Sequence, residues 1–505
     1  MLSQFRGAVA GAIFLLGAAA AVASDSAAQI AHESDRYAAV RDYIRSQLVA
    51  TSVPSIAVAV FRDGRIDWEQ GFGWADREGR IEATPNTPYS LASISKSFTA
   101  TGLMVLAAQN RIDLDKPVND YLGDGKLTAR IGNAADATVR SVANHTSGLP
   151  FHAQFFYYDE PYRRPPMDLT ILRYGNIIDL PGAHYNYSNL GYGILSEVLA
   201  HQSHKTYGDF MRESVFLPLG LTRTSVGVPE ALKPFVAARY ETNGARLPYY
   251  DTDHPGASEV FSSAHDLIRF AAFHLKAHLS DQKQILDDAH LEAMHVTSAH
   301  DATEAYGFGF ETRTKNGYRV IAHGGAMPGV ATDMLFVPDK GIAIVVLCNT
   351  WASGVVNDIM THIAKSLLPD WKTPLPEKGF APPEKPFVPT AALTGKWVGY
   401  IAIPEGKLPV MLDLRADGFM SAVVGRGLPT LINTAGIEDG KFTGEIATAL
   451  ETADTQRFKY TVRLSLRNEG DRLYGSAVAL ADITDQHFTA GLTYWIDLSR
   501  EKPAL

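Results

Sequence analysis

Three features of the 505-residue sequence predict an α+β fold joined to a separate all-β domain. A helical pattern over 35–49 precedes a β-hairpin turning at Asp63-Gly64, and this order favours an α+β layer over a doubly wound parallel sheet. Prolines then recur from 369 to 389 with little hydrophobic periodicity, which indicates a semi-rigid linker. Beyond it, 390–505 contains short alternating strands, regular turn signals and no strong helix, which favours a closed or nearly closed β-barrel. The chain thus divides into a domain over 35–368, a linker and a barrel domain.

Composition and charge restrict the classes of function. Hydrophobic residues make up 46% and charged residues 20% of the chain, as in ordinary globular proteins. The net charge of −9 and the absence of a long basic run lead us to expect no nucleic acid partner. No His-Glu-x-x-His or comparable ligand cluster occurs, so we expect no metal and no cofactor. Cys348 is the only cysteine, so stability must come from the core and not from an intramolecular disulfide.

The first 23 residues are typical of an export signal. Arg6 supplies a positive charge, 7–20 is apolar or small, and Ala21-Val22-Ala23 forms a small-x-small cleavage site. An uncleaved membrane anchor is the alternative, but the apolar core is short of a full span and rich in alanine and glycine. We therefore expect an exported, periplasmic or secreted protein with no stable membrane span after signal cleavage.

The first candidate site pairs a serine with a lysine. Apolar residues recur at helical spacing after Ser93, so it opens a buried helix, and Lys96 lies beside it because three residues is just under one helical turn. Burial lowers the pKa of a lysine, and a neutral amine can take the proton of a serine hydroxyl. The same spacing occurs at Ser280/Lys283 and Ser499/Lys502, outside any long apolar helix. Spacing alone would make Ser93 an ordinary helix N-cap.

The second candidate site is a loop at the mouth of a helix. Glycine and proline precede Tyr187 and Asn189, and an apolar helical stretch follows to Leu199. A tyrosine near a lysine relays protons, and an asparagine amide can hold a substrate carbonyl. An ordinary aromatic wedge is the alternative for Tyr187. We interpret His145, in an earlier polar turn, as a buried histidine that locks the turn, with a catalytic base as the less favoured alternative.

The third candidate site is a glycine pair beside a strand. His323-Gly324-Gly325 lies in a predicted antiparallel meander, between apolar strands over 318–322 and 332–337. Glycines there allow a ligand to approach the strand backbone closely. His254-Pro255-Gly256 has the same spacing, but we assign it to an irregular loop and discount it. A helix over 355–368 is predicted to pack beside the N-terminal helix.

The order Ser93/Lys96, Tyr187/Asn189, His323/Gly325 resembles the serine β-lactamase and penicillin-binding-protein superfamily. It looks most like the branch that contains class C β-lactamases, D-aminopeptidases and esterases. The resemblance spans roughly 35–368 and implies a mixed antiparallel sheet with flanking helices, a helical subdomain carrying Tyr187, and an active site between them. Further segments that look similar to family landmarks are 114–118, 145–150, 187–192, 218–221 and 262–270.

The resemblance implies an acyl-enzyme mechanism. Ser93 would attack a carbonyl carbon, with Lys96 and Tyr187 as the proton-transfer pair, and which of the two is the principal base stays open. The backbone N–H groups of Ser93 and Ala326 would form the oxyanion hole. Asn189 would bind the acyl side chain of the substrate or tune Lys96.

The third motif departs from that of true class C β-lactamases, which carry Lys-Thr-Gly at this point. His323 and Gly325 would still bind substrate, but histidine is charged only part of the time near neutral pH, whereas lysine is a permanent cation for the substrate carboxylate. We therefore expect inefficient β-lactam hydrolysis. His-x-Gly resembles the third motif of D-aminopeptidases and related peptidases. In the barrel domain, Gly395-Lys396-Trp397 looks similar to the opening of a lipocalin-like domain.

The predicted function is that of an exported serine hydrolase acting on a small-molecule substrate, most of all on small peptides that contain D-residues. The alternatives are a carboxylesterase or weak β-lactamase of the same fold, and a non-catalytic penicillin-binding sensor or scaffold. The barrel would bind a ligand or partner, shape the mouth of the cleft, or only stabilise the fold. The sequence leaves the natural substrate and the oligomeric state open.

Overall fold

The computed structural model describes residues 36–301, 305–372, 386–482 and 489–502. It contains an antiparallel sheet covered by helices, followed by a closed barrel. The predicted α+β fold with a C-terminal barrel is therefore confirmed. The export signal predicted for 1–23 lies outside the described residues, as do 373–385 of the predicted linker.

Among the residues that the structure describes, the central sheet is antiparallel and has nine strands. The centre of the sheet is buried on both faces, as the side chains of strand Ser55–Arg62 illustrate. Ile56 and Val58 pack into one hydrophobic cluster, and Ala57 and Ala59 into the other, because side chains alternate along a strand. In spatial order the strands are Ala299–His300, Ala305–Tyr306, Glu311–Lys315, Tyr318–Met327, Val330–Val337, Ile342–Cys348, Ser55–Arg62, Arg65–Asp76 and Ile81–Glu82.

The hairpin turn is the one that the sequence predicts. Asp63 and Gly64 join the first two long strands with φ angles of +50° and +76°. Both angles lie in the left-handed region that a two-residue hairpin of this kind requires, and glycine adopts it without strain.

Helices cover both faces of the sheet. Ala38–Ala50 and Ser353–Leu367 pack together on one face, as predicted, with the edge of the Tyr43 ring against His362. Helix Ser95–Ala108 lies on the other side of the sheet and is buried from Ser95 to Leu106. The other α-helices in the described part of the chain are Val139–Ala143, Met167–Tyr174, Asn189–Ser203, Tyr207–Met211, Pro255–Ser258, Ala264–His274 and Asp288–Met294.

The C-terminal barrel is closed by pairing of its first and last strands. Its interior contains Trp397, which is fully buried and donates its indole N–H to the Leu393 carbonyl at 2.8 Å. The strands are Gly395–Ile403, Gly406–Leu414, Met420–Val424, Thr430–Glu438, Lys441–Ile446, Thr461–Glu469, Arg472–Asp482 and Thr489–Arg500.

Hydrogen bonds and an ion pair join the barrel to residues 153–160 of the first domain. Ala153 and Gly491 exchange two backbone hydrogen bonds of 2.8 and 3.0 Å. The buried Arg457 guanidinium donates to the Phe155 carbonyl at 2.6 Å and pairs with Glu160 at 2.8 Å. These contacts hold the barrel against residues 153–160 of the first domain. Within the ranges described, no helix has the length and apolar character needed to cross a bilayer.

Candidate active site

Ser93 lies in a tight turn that feeds directly into a buried helix. A 3₁₀ turn over Ala92–Ile94 precedes helix Ser95–Ala108. Ala92 has a φ of +48°, a left-handed conformation that costs an L-residue about 1–2 kcal/mol. Ser93 therefore precedes the α-helix and is not its N-cap. Lys96 nevertheless lies beside Ser93, as the spacing predicts, with Lys96 Nζ 3.2 Å from Ser93 Oγ.

The Lys96 amine is buried, and the described residues show no carboxylate paired with it. It donates to Asn189 Oδ1 at 2.7 Å and to the Ala257 carbonyl at 3.3 Å. Burial lowers the pKa of Lys96 well below its usual range, which favours the neutral amine. A neutral amine has two N–H groups and one lone pair. Since both carbonyl oxygens can only accept, the lone pair is left for the Ser93 hydroxyl.

The loop that carries Tyr187 is held by a helix cap. Ser188 Oγ accepts from Gly191 N at 3.0 Å and so caps helix Asn189–Ser203, as the predicted position at a helix mouth requires. The Tyr187 ring centroid lies 4.6 Å from Lys96 Nζ. Asn189 Nδ2 donates to the His152 carbonyl at 3.0 Å, and this bond turns Oδ1 towards Lys96.

His145 is a buried structural histidine, as interpreted from the sequence. Its Nδ1 accepts from Ser188 N at 3.1 Å, and its ring lies 4.5 Å from the Tyr187 ring. Burial lowers the pKa of His145 well below its usual range, with a further contribution from Lys96. The neutral ring therefore fixes the loop that carries Tyr187.

The strand Tyr318–Met327 forms the opposite wall. Strand Glu311–Lys315 pairs with it only as far as Ala322, so in the described residues the edge beyond that point is free of a partner strand. A Cβ atom on Gly325 would lie closer than 3.0 Å to both the Leu91 carbonyl oxygen and the Thr332 hydroxyl, and 3.1 Å from Ser93 N. Only glycine allows the strand to lie this close to the Ser93 turn.

His323 is neutral in this arrangement. It is 2% exposed, and burial, with Lys96 nearby, lowers its pKa to about 3. Its Nδ1 lies 2.7 Å from the Gly324 carbonyl, which can only accept, so Nδ1 carries the proton. Nε2 then accepts from the Tyr306 hydroxyl at 2.8 Å. No histidine cation is presented to a substrate here.

An open cavity of about 510 Å³ brings these groups together. It is lined by Ser93, Tyr187, His323, Gly325 and Ala326, so both predicted oxyanion-hole residues border the same space. A second recess of about 460 Å³ shares the Tyr187 wall and is bordered by the barrel. The barrel residues that line it are Lys441, Ser465, Arg467, Tyr474, Gly475, Ser476, Val478 and Thr493.

A comparison with family models decides the family. The model named Beta-lactamase matches residues 40–367, more than half of the chain. The chain belongs to the β-lactamase family.

Two curated relatives match about three fifths of this chain. The unguisins hydrolase ungD' of Aspergillus campestris is 27% identical over 329 residues, and Protein flp of Staphylococcus aureus is 23% identical over 311 residues. Each match covers 61% of this chain and 61% of the relative. The chain thus spans about three fifths of the length of these curated relatives.

Solved structures share the fold over most of the chain. The octameric penicillin-binding protein homologue from Pyrococcus abyssi is 19% identical, with a TM-score of 0.57, over 91% of this chain and 99% of that one. SurE, in a structure with D-Leu, is 21% identical, with a TM-score of 0.61, over 93% of this chain and 100% of that one. The likeness therefore extends from the β-lactamase domain into the barrel.

The structure adds two groups to the β-lactamase-family site that the sequence did not indicate. Tyr306, which bonds His323, had no signal, because only the folded sheet brings it there. His254-Pro255-Gly256 was wrongly assigned to an irregular loop. It begins helix Pro255–Ser258, whose Ala257 carbonyl contacts Lys96, and a Cβ on Gly256 would overlap the Tyr192 carbonyl. Proline as the first helical residue was the available signal.

Potential metal-ligating groups lie away from the residues that line the Ser93 cavity. Two clusters in the described ranges have donor atoms within 4.8 Å of one another, one buried and one nearer the surface. In the buried cluster the donors hydrogen-bond to each other. The prediction of no metal or cofactor stays a prediction. The clusters are His152/Asp253/His254 and Asp168/Glu197/His201.

Proposed function

We propose that the protein is a serine hydrolase that forms an acyl-enzyme on Ser93. The observation that carries this proposal is the 3.2 Å separation of Ser93 Oγ from the buried Lys96 amine, at the wall of an open cavity. A serine hydroxyl is a weak nucleophile until a base removes its proton. Lys96 has the depressed pKa that such a base needs near neutral pH.

The proposed reaction assigns a role to each of these groups. Ser93 Oγ attacks the substrate carbonyl carbon while its proton passes to the Lys96 amine. The oxyanion is bound by the N–H groups of Ser93 and Ala326, each worth about 3 kcal/mol of transition-state stabilisation. The leaving group takes a proton from the Lys96 ammonium, with the Tyr187 phenol as relay. Water then attacks the acyl carbonyl carbon and gives its proton to the same pair. The bond between this carbon and Ser93 Oγ breaks, the acid product leaves, and the pair returns the proton to Ser93 Oγ.

Small peptides that contain D-residues are the proposed substrate class. The neutral His323 supplies no fixed cation for the carboxylate of a β-lactam, which argues against efficient β-lactam hydrolysis. The barrel-lined recess beside Tyr187 gives room for a substrate that extends beyond the scissile bond. The name of one relative describes hydrolysis of unguisins, and the SurE structure contains D-Leu.

A carboxylesterase is the second candidate function. The Ser93–Lys96 pair could also attack the carbonyl carbon of an ester, and the absence of charge on His323 suits an uncharged acyl group. Esters need less help with the leaving group than amides do, so esterase activity is the less demanding chemistry.

Four chromogenic substrates separate the candidates. Purified protein is incubated with D-alanyl p-nitroanilide, L-alanyl p-nitroanilide, p-nitrophenyl butyrate and nitrocefin, alongside Ser93→Ala. A peptidase of the proposed class hydrolyses the D-alanyl anilide fastest among the amides, and Ser93→Ala loses at least ~1,000-fold of that activity. The matched control is Ser97→Ala, on the same helix, whose hydroxyl donates to the Gly309 carbonyl at 2.7 Å.

Two outcomes would count against the proposal. Activity that survives Ser93→Ala would exclude the acyl-enzyme, and a stable adduct with no turnover would indicate a penicillin-binding sensor or scaffold. Fast hydrolysis of the ester alone would select the carboxylesterase. The predicted signal over 1–23 supports the further proposal of export, which the N-terminal sequence of protein recovered from a periplasmic fraction would test.

A further inference from the structure

Three buried polar side chains lie close to the residues that accept hydrogen bonds from Lys96, and they take no part in the proposed reaction. His152, Asp253 and His254 are each 2% exposed or less. His152 Nε2 lies 2.8 Å from Asp253 Oδ2, and His254 Nδ1 lies 2.9 Å from Asp253 Oδ1. A buried polar network is costly unless its members are bonded to one another, so one that persists next to a catalytic amine calls for a role.

The first histidine leads to Asn189. The backbone carbonyl of His152 accepts from Asn189 Nδ2 at 3.0 Å, and Asn189 Oδ1 in turn accepts from Lys96 at 2.7 Å. The bond from His152 Nε2 to Asp253 fixes the residue whose carbonyl orients the asparagine amide. Displacement of His152 would let that amide rotate away from the lysine.

The second histidine leads to the other acceptor of Lys96. The carbonyl of His254 accepts from Ala257 N at 2.9 Å and so starts helix Pro255–Ser258. The carbonyl of Ala257 then accepts from Lys96 at 3.3 Å. Both carbonyl oxygens that hold the amine are therefore placed by residues bonded to one carboxylate.

The charge of Asp253 strengthens these bonds. Burial would raise the pKa of this carboxyl, but the His152 and His254 rings hold the pKa below its usual range. The ionised carboxylate accepts from both rings, and hydrogen bonds to an ionised acceptor are shorter and about twice as strong as neutral ones. Asp253 thus holds two separate segments, around 152 and around 254, in a fixed relation.

We propose that Asp253 is a positioning residue for Lys96: through His152 and His254 it places the Asn189 and Ala257 oxygens that aim the lysine lone pair at Ser93. This inference rests on the proposed function. It assigns no chemical step to Asp253, which touches neither the substrate cavity nor the reacting atoms.

The test is the rate of Ser93 acylation in Asp253→Asn. Misplacement of a reacting group by about 1 Å costs on the order of 100-fold in rate. We therefore expect the maximal rate of labelling by a fluorophosphonate probe to fall roughly 10- to 100-fold, while the probe concentration at half-maximal rate changes less than about threefold. A loss through damaged substrate binding would change that concentration instead.

Asp266→Asn is the matched control for lost stability. Asp266 is 1% exposed and accepts from Arg223 N at 2.6 Å and from the Thr224 hydroxyl at 2.8 Å, with no hydrogen bond to Lys96 or its acceptors among the described residues. Both variants should lower the melting temperature, but Asp266→Asn should label at the wild-type maximal rate. Equal loss of rate in the two variants would show a general effect of destabilisation and would overturn the proposal.

A pair of variants at position 254 tests the bond itself. The asparagine amide introduced by His254→Asn can donate to Asp253 as the imidazole Nδ1 does, whereas the side chain introduced by His254→Leu cannot. We expect His254→Asn to keep at least about tenfold more of the labelling rate than His254→Leu. Equal rates would contradict the proposal, as would stoichiometric metal in the purified protein, since the cluster would then be a metal site.

The failure of this inference is distinguishable from the failure of the proposed function. If Ser93 is not the nucleophile, the wild-type protein shows no labelling that Ser93→Ala removes. If only the inference is wrong, labelling depends on Ser93, and Asp253→Asn either labels at the wild-type maximal rate or loses no more of it than Asp266→Asn does.

Discussion

Replacement of Gly325 by alanine gives the sharpest prediction about the two walls of the cavity. The added Cβ would overlap the Leu91 carbonyl and the Thr332 hydroxyl and would lie 3.1 Å from Ser93 N. Leu91 and Thr332 are themselves joined by a hydrogen bond of 2.9 Å, which ties the sheet to the Ser93 turn. Gly325→Ala has to lengthen this hydrogen bond between Thr332 and Leu91.

The size of the effect follows from the overlap. To relieve the clash with the Leu91 backbone, the strand and the Ser93 turn have to separate by about 1 Å. A displacement of about 1 Å between reacting groups lowers the reaction rate on the order of 100-fold. The displaced Ala326 N–H would also bind the oxyanion less well, and loss of one donor costs about 3 kcal/mol. We therefore expect the acylation rate to fall at least ~100-fold.

Gly324→Ala is the control within the same strand. A Cβ at 324 meets only the Thr332 carbonyl oxygen, at an ordinary contact distance of 3.8 Å. Fluorophosphonate labelling and hydrolysis of D-alanyl p-nitroanilide are measured for both variants, with melting temperatures beside them. Gly324→Ala should stay within about fivefold of the wild type, because its added methyl group needs no backbone shift.

The refuting result is a Gly325→Ala protein that folds and labels at the wild-type rate. The strand would then not have to lie against the Ser93 turn, and Ala326 would not be held near the oxyanion. Equal losses in both variants would show that any methyl group on this strand blocks the cavity, and would also reject the reasoning from the tie to Leu91.

The remaining predictions concern charge state and the barrel. Acylation needs the neutral Lys96 amine, so the labelling rate should rise with pH through the pKa of Lys96. The midpoint of this rise should lie well below pH 10.5, the pKa of an exposed lysine, and a midpoint near 10 would contradict the account. Among the described histidines, burial lowers the pKa of four most strongly, so the unfolded state takes up protons first and their contribution to stability should fall as the pH drops below about 6.5. For each of the two whose pKa is lowered to about 3, the loss at pH 5 should be roughly 2 kcal/mol, measured by urea unfolding. Arg457→Ala removes the bonds to Phe155 and Glu160 and should lower the melting temperature by several degrees without changing the labelling rate more than about twofold. Deletion of 390–505 should change substrate range or stability more than labelling of Ser93, and a folded but unlabelled truncation would show that the barrel contributes to the site. The four histidines whose pKa is most strongly lowered by burial are His145, His274, His295 and His323.

The sequence predicted the parts of the site that depend on local spacing. Ser93 and Lys96 are neighbours because they are one helical turn apart, and this holds even though the α-helix begins two residues after Ser93. Tyr187 lies at the mouth of helix Asn189–Ser203, as the glycine and proline before it and the apolar stretch after it predict, and the structure adds that Ser188 caps this helix. The hairpin at Asp63-Gly64 follows from the turn chemistry alone.

The remaining groups depend on contacts between distant segments. Tyr306 reaches His323 across neighbouring parts of the sheet, and Asp253 reaches His152 across 101 residues. Nothing in the local pattern of either segment specifies its partner. The error at His254-Pro255-Gly256 is different, because proline as the first helical residue was a local signal that was available. Only the contacts of the short helix with Tyr192 and Lys96 depend on distant segments.

The mass of the intact protein after brief reaction with D-alanyl p-nitroanilide, quenched in acid, tests the central claim most directly. The account predicts a mass increase of one alanyl group that peptide mapping assigns to Ser93, faster to appear at pH 8 than at pH 6 and missing from Ser93→Ala and Lys96→Met. An adduct on a residue other than Ser93, or an adduct that forms equally fast in Lys96→Met, would contradict it.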